Sequence, residues 1–266
     1  MAKLQDKKIE AKDISEYLAT QDDFALELRS LKRASSLGFR VSHGGTYTDP
    51  LINKSRQYDL RVSLSKPGTS VHFAIECKAL QENCPLLVSC VARAASESFH
   101  QRIDLRPNNS PPTHVALVRN SALYPVGQPV GKSTAQVGRT LAGGWSENDA
   151  TTYEKWMQAL ASANDLIQHS AIPPALKADS LEEILIIPLL VVPDGMLWSV
   201  NYTDTGDIST GPQMVDSVLL YVGRSYEVYR QSFTVSHLHF CTETGLDQFL
   251  TTVSQAPAWW ASSFQG

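Results

Sequence analysis

Apolar residues recur along this chain with two periods, and the clearest is the alternation over Val71-His72-Phe73-Ala74-Ile75-Glu76-Cys77-Lys78. Side chains of a strand alternate between faces, so His72, Ala74, Glu76 and Lys78 share one face while Val71, Phe73, Ile75 and Cys77 share the other. Leu60-Arg61-Val62 comes shortly before it. Between them Lys66-Pro67-Gly68-Thr69 reads as a tight turn, proline fixing one φ and glycine admitting a positive one, and a hairpin follows. Phe24, Leu28 and Leu31 carry the helical period instead, with Gly38 placed to end that helix and Asp13 placed to cap an earlier one running to Thr20. A third helix begins near Thr151, carries Tyr153, Trp156, Leu160 and Leu166, and stops before Ile172-Pro173-Pro174. Ile184 to Val192 is apolar on both faces, as in a strand inside a sheet. Phe39 to Val41, Leu86 to Val88, Thr113 to Val118, Leu197 to Val200, Val215 to Val222 and Phe233 to Phe240 add strands, and Leu246 to Val253 a last helix. The polar stretch Arg93 to Arg102 is expected to enter a helix, and Gly131 to Gln136 to open another.

Composition narrows the class of molecule. At 266 residues, 42% hydrophobic and 19% charged, the chain is long enough to bury a large core and is ordinary for a globular protein. One domain is expected, with residues 1–150 as its core and 151–266 extending the sheet. A formal charge of −4 argues against a generic basic coat for nucleic acid, though not against a local basic groove. Cys77, Cys84, Cys90 and Cys241 form no Cys-x-x-Cys pair and no zinc spacing with histidine, so reduced thiols are expected. The start of the chain lacks the apolar core of a signal peptide, and the apolar run at Ile184 is short and broken by proline, so a cytoplasmic protein without a membrane span is expected.

The hairpin is where chemistry concentrates. It brings Asp59, on the first strand, toward Glu76 on the second, because paired strands lie about 5 Å apart. Carboxylates that close repel unless a cation lies between them. Mg²⁺ is the expected cation, a hard ion that takes oxygen ligands and keeps waters for a phosphate and a nucleophile, with Mn²⁺ as a substitute. Lys78 would stand beside such a water, to orient it or to stabilise charge on phosphorus. The plainer alternative is a Glu-x-Lys surface ion pair of little energetic consequence. Glu27 shares a helix face with Leu31 and Ala34 and sits at the border of the apolar stripe, where it is either a ligand or a solvated carboxylate. Gly127 to Ser133 resembles a phosphate-binding loop but has three residues between its glycines where the motif has four. His100, His237 and His239 are expected to be structural.

Asp59, Glu76 and Lys78, the preceding His43-Gly44-Gly45-Thr46-Tyr47-Thr48-Asp49-Pro50 and the helix carrying Glu27 resemble the PD-(D/E)xK nuclease superfamily over roughly residues 20 to 140. Gln57 and Tyr58 stand before Asp59 where the motif's name has proline. The resemblance implies an α/β, restriction-endonuclease-like fold, a mixed central sheet flanked by helices, here with extra C-terminal strands. It implies an order of helix, three antiparallel strands, helix, strand, with the acidic residues and lysine at the centre of the sheet. Asp59 and Glu76 would be metal ligands, the Cys77 carbonyl and Glu27 further ones, and Lys78 the catalytic lysine. The expected activity is Mg²⁺-dependent phosphodiester hydrolysis, most readily of DNA, in prokaryotic restriction or anti-phage defence. Arg93, Lys132, Ser133 and Gln136 are the candidate contacts to nucleic acid, and a homodimer or an activating partner is expected if both strands of a duplex are cut. A non-catalytic nucleic-acid-binding or assembly subunit of the same fold is the main alternative, and a small-molecule enzyme using its carboxylates as acid and base is another.

Overall fold

The computed structural model describes residues 6–49, 52–106, 112–147, 150–171, 181–228 and 230–264. Pro50 and the Ile172-Pro173-Pro174 segment lie outside them. Two helices, α1 (Ala11–Gln21) and α2 (Asp23–Ser36), lead into β1 (Arg40–His43), the small hairpin β2 (Thr46–Asp49) and β3 (Lys54–Gln57), and then β4 (Leu60–Lys66) and β5 (Thr69–Cys77). Gly68, at φ +75°, makes the turn between β4 and β5. Next come β6 (Leu86–Ala92), β7 (Phe99–Leu105), β8 (Thr113–Arg119), β9 (Pro129–Arg139) and β10 (Trp145–Glu147). Helix α3 (Ala150–Ala171) precedes β11 (Glu182–Val192), β12 (Leu197–Tyr202), β13 (Ile208–Met214), β14 (Ser217–Val228) and β15 (Gln231–Thr242), and the chain ends in α4 (Glu243–Gln255) and α5 (Pro257–Phe264).

The result is a mixed α/β fold built on one large sheet, in the order β1-β4-β5-β11-β15-β14-β9-β6-β12-β13. β1, β4 and β5 form an antiparallel meander, and β5 then pairs in parallel with β11, which pairs in parallel with β15. A parallel neighbour on each side explains why β11 is apolar on both faces. Pro188 has no N–H to give a ladder. It falls where the pairing to β7, which ends at Ile184, has stopped and that to β15, which begins at Leu189, has not started. One face of the sheet packs on α2, α4 and α5 through Leu26, Phe73, Ile75, Leu189, Leu250 and Trp260. The other packs on α3 through Ala74, Ile186, Leu160, Ala163 and Ile167. The face of β5 carrying Glu76 is therefore the one beneath α3.

Two expected helices are strands. Arg93 to Arg102 contains only a 3-10 turn, Ala95–Glu97, before β7, and Gly131 to Gln136 lies within β9. Both are strands rich in polar residues, and pairing with neighbours distant in sequence outweighs their local preference. Among the described residues no helix is long and apolar enough to cross a membrane.

Candidate active site

Asp59 sits just before β4, and Glu76 is one residue from the end of β5. The pairing of Leu60 with Ile75, carried one step further, sets Asp59 opposite Glu76. The turn between β1 and β2 fixes the backbone there. Gly44 N–H donates to the Asp59 carbonyl and Tyr58 N–H to the Gly45 carbonyl, both at 3.0 Å. Gly45 can carry no side chain, since a Cβ would lie 2.2 Å from the Tyr58 hydroxyl oxygen. The Asp59 carboxylate is anchored in turn, Oδ2 accepting the Cys77 N–H at 2.8 Å.

The cation at this pair comes from α3. Lys155 Nζ donates to Asp59 Oδ2 at 3.0 Å and Oδ1 at 3.3 Å, and lies 3.6 Å from Glu76 Oε2. Glu76 is 0% exposed, and neither of its carboxylate oxygens has a hydrogen-bond partner among the described residues. Burial, with the charge of Asp59 added, pushes its pKa well above the usual carboxylate range against the opposing pull of Lys155. Burial alone would lower the Lys155 pKa, but the Asp59 and Glu76 carboxylates outweigh it and the pKa is raised.

Glu27 reaches the same place from α2. Its Oε2 lies 2.9 Å from His43 Nε2, whose ring stacks obliquely on Phe24 at 5.7 Å. Burial raises the Glu27 pKa, the hydrogen bond to His43 opposes this, and the charge of Asp59 adds to it. These residues line a cavity of about 460 Å³ with Arg56, Gln57 and Gln158. Arg56 closes one wall while its Nε holds the buried Asp49 at 2.8 Å.

Lys78 lies elsewhere. β5 ends at Cys77, and the strict alternation ends with it. Lys78 Nζ bonds Asp23 at the start of α2, at 3.2 Å to Oδ2 and 3.4 Å to Oδ1, and Asp23 Oδ1 also accepts the Ala79 N–H at 2.6 Å. The lysine at the carboxylate pair is thus Lys155, 96 positions from Asp59. Its signal in the sequence is a polar stripe, Lys155, Gln158, Ser162 and Asp165, at three- and four-residue spacing on a helix otherwise rich in apolar residues. His43 was likewise visible only as part of the segment around the glycines.

The candidate nucleic-acid contacts separate. Arg93 is 2% exposed and donates from Nη1 to the Pro125 carbonyl at 2.8 Å. Gln136 Nε2 donates to the Cys84 carbonyl at 3.5 Å. Lys132 and Ser133 line a second groove, on the far flank of α3. His100, His237 and His239 are buried, His239 bonded to the Tyr124 hydroxyl at 2.8 Å and His100 Nε2 to the Ser263 carbonyl at 2.8 Å.

The donor set at the pair suits a hard cation. Glu76 offers two oxygens without a hydrogen-bond partner among the described residues, only Lys155 standing 3.6 Å from one of them, and Asp59 lies opposite it on the neighbouring strand. No three His, Cys, Asp or Glu side chains among the described residues are gathered tightly enough to hold a metal by themselves. Mg²⁺ bound through one or two carboxylates and completed by water and phosphate asks for no such trio. Comparison with protein-family models, with curated proteins and with solved structures returns no match.

Proposed function

We propose that this protein is a metal-dependent nuclease of the restriction-endonuclease-like fold, hydrolysing phosphodiester bonds, most readily those of DNA. The observation that carries the proposal is the buried Asp59–Glu76 pair bridged by Lys155, with Asp59 and Lys155 on the wall of an open cavity and Glu76 fully buried beside them. Buried like charges are costly, and a site that leaves both oxygens of Glu76 without a donor spends stability on something other than folding. The order of elements lends support. α2, the antiparallel β1, β4 and β5, then α3 and the parallel β11 follow the helix, three strands, helix, strand order, with β6 to β10 inserted between β5 and α3.

Asp59 and Glu76 would hold Mg²⁺ or Mn²⁺, with the Cys77 carbonyl and water as further donors, while Glu27 stays with His43. Bound there, the ion supplies positive charge to the scissile phosphate and a water of lowered pKa. The chain's own residues do the rest. Lys155, held charged by its carboxylate neighbours, places an ammonium where negative charge gathers in the transition state. The hydrogen bonds from Cys77 and Gly44 keep the Asp59 carboxylate and backbone still, so no reorganisation is needed. Phe24 and the Glu27–His43 pair line the same cavity. Double-strand cutting would call for two copies or an activating partner.

Cleavage of supercoiled DNA, single-stranded DNA and RNA, each with Mg²⁺, Mn²⁺ or EDTA, tests the proposal. The expected outcome is metal-dependent cleavage that disappears in Lys155→Ala and in Asp59→Asn. Activity that survives EDTA and both substitutions would overturn it. One observation favours a second reading, in which the chain binds nucleic acid without cutting it: Lys155 already supplies one cation at the carboxylate pair. Binding without cleavage under every metal condition is its signature.

A further inference from the structure

Helix α3 has a second chemically marked flank. Tyr153, Trp156, Met157 and Leu160 recur at three- and four-residue spacing and share one side of it, opposite Lys155, Gln158 and Ser162. With Tyr221 and Arg224 of β14 and Lys132 and Ser133 of β9 they line a groove of about 340 Å³, within the range of small-ligand pockets. Its contents are unusual for a mere surface crease. The Tyr153 ring is 46% exposed and meets Trp156 edge to face, at 4.6 Å and 80°. Trp156 Nε1 is buried and has no hydrogen-bond partner among the described residues. The Lys132 ammonium lies 4.6 Å over the Tyr221 ring. Glu97 pairs with Lys132. Arg224 meets the Met157 sulfur at 3.7 Å, and among the described residues it forms no ion pair.

Aromatic faces set beside cations are what an unpaired nucleic-acid strand binds, the rings stacking its bases and the cations its phosphates. A duplex hides its base faces and gains nothing from exposed rings. We infer that this groove holds the unpaired bases of a single strand whose scissile phosphate lies across α3 at Asp59 and Glu76. Tyr153 stacks the bases and Arg224 takes a phosphate, with Lys132, held by Glu97 over the Tyr221 ring, adding positive charge at the groove's edge. The inference rests on the nuclease proposal for its second half and specifies the substrate as single-stranded or locally unwound. The distance is suitable, because the two sites are separated by the width of one helix, about 10 Å. That is about three stacked nucleotides of one strand.

Fluorescence anisotropy with a labelled oligothymidylate, and with a duplex of equal length, tests this in EDTA so that cleavage plays no part. The full chain is expected to prefer the single strand. Tyr153→Ala and Arg224→Ala are each expected to weaken that binding about tenfold. Tyr153→Phe keeps the ring and is expected to retain binding, which separates stacking from any loss of fold. Cleavage by the same proteins is scored separately with metal. Single-strand binding that falls in Tyr153→Ala, with no cleavage by any variant, leaves the groove standing and removes the nuclease. Metal-dependent cleavage with single-strand binding unchanged in Tyr153→Ala and Arg224→Ala leaves the nuclease standing and overturns the groove. Absence of oligonucleotide binding, or equal binding to duplex, overturns it as well.

Discussion

Two buried charged clusters lie on the same sheet and are built on opposite terms. Around Arg102 every charge is answered. Its Nε holds Asp104 at 2.9 Å, its Nη2 holds Glu183 at 2.5 Å, and its Nη1 donates to the carbonyl of Phe264. Around Lys155 one ammonium serves two carboxylates, and Glu76 is left without a hydrogen-bond partner among the described residues. The first cluster ties the end of α5 to β7 and β11 and has nothing left to offer a ligand. The second opens onto a cavity and is incomplete until something cationic or hydrogen-bonding arrives. Completeness separates a charged group that holds the fold from one that waits for a substrate.

The contrast can be broken most forcefully at Arg102. Arg102→Ala leaves the buried Asp104 with Arg106 alone, at 3.4 Å, and takes the partner from the partly exposed Glu183, and is expected to cost about 2–3 kcal/mol of stability in urea denaturation, leaving cleavage per folded molecule unchanged. A cost below about 1 kcal/mol would mean that this cluster is no structural tie. Lys155→Ala is expected to do the reverse, lowering the cleavage rate about 10²–10³-fold in single-turnover assays. Lys78→Ala, which frees Asp23, is expected to change that rate far less. Equal loss in both lysine variants would erase the distinction between them.

A third buried polar region, whose histidines His100 and His239 are hydrogen-bonded, tests what a charge placed in such a region costs. Burial lowers the His100 pKa to about 4 and that of His239 to about 3. An unfolded histidine takes up its proton near 6.5, so below that pH the unfolded chain binds protons that the fold refuses. Stability is therefore full above about 6.5 and declines as pH falls toward the folded values. At pH 5.5 each of these histidines is expected to cost about 1.4 kcal/mol, read from denaturant midpoints at the two pH values. The smallest effect sharpens the comparison most. Glu76→Gln removes a buried acid whose pKa is already pushed up and which has only the 3.6 Å approach of Lys155 among the described residues, and is expected to raise stability by about 1 kcal/mol while abolishing cleavage. A destabilised Glu76→Gln protein would place Glu76 among the structural charges after all.

Half of the candidate site was legible before any coordinates. Alternation fixes the face of Glu76, and the Pro67-Gly68 turn brings Asp59 beside it; both are local rules with few exceptions. The Gly44-Gly45 pair was visible as a point of backbone freedom, though the reason for Gly45, the Tyr58 ring pressed on it, is tertiary. Lys155 was not legible as a partner of that pair. Nothing within its own helix points to strands 96 positions away, and the alternation that favoured Lys78 stops one residue short of it. β7 and β9 were missed for a related reason. Their polar, partly exposed sequences have no strong local preference, and it is β8, β11 and β6, brought in from other parts of the chain, that make them strands.

The placement of β6 to β10 between the carboxylates and α3 has a consequence for how the molecule comes into being. The hairpin of β4 and β5 is a local structure that can close in microseconds, whereas its parallel partner β11 and the bridging Lys155 arrive only after a long loop has been closed. During synthesis from the N-terminus, the carboxylates of Asp59 and Glu76 are therefore made well before the lysine that neutralises them. A nascent chain stopped short of α3 contains the acidic residues but not their counter-charge. The same arrangement that assembles the candidate site ensures that no N-terminal fragment ending before α3 can contain it whole.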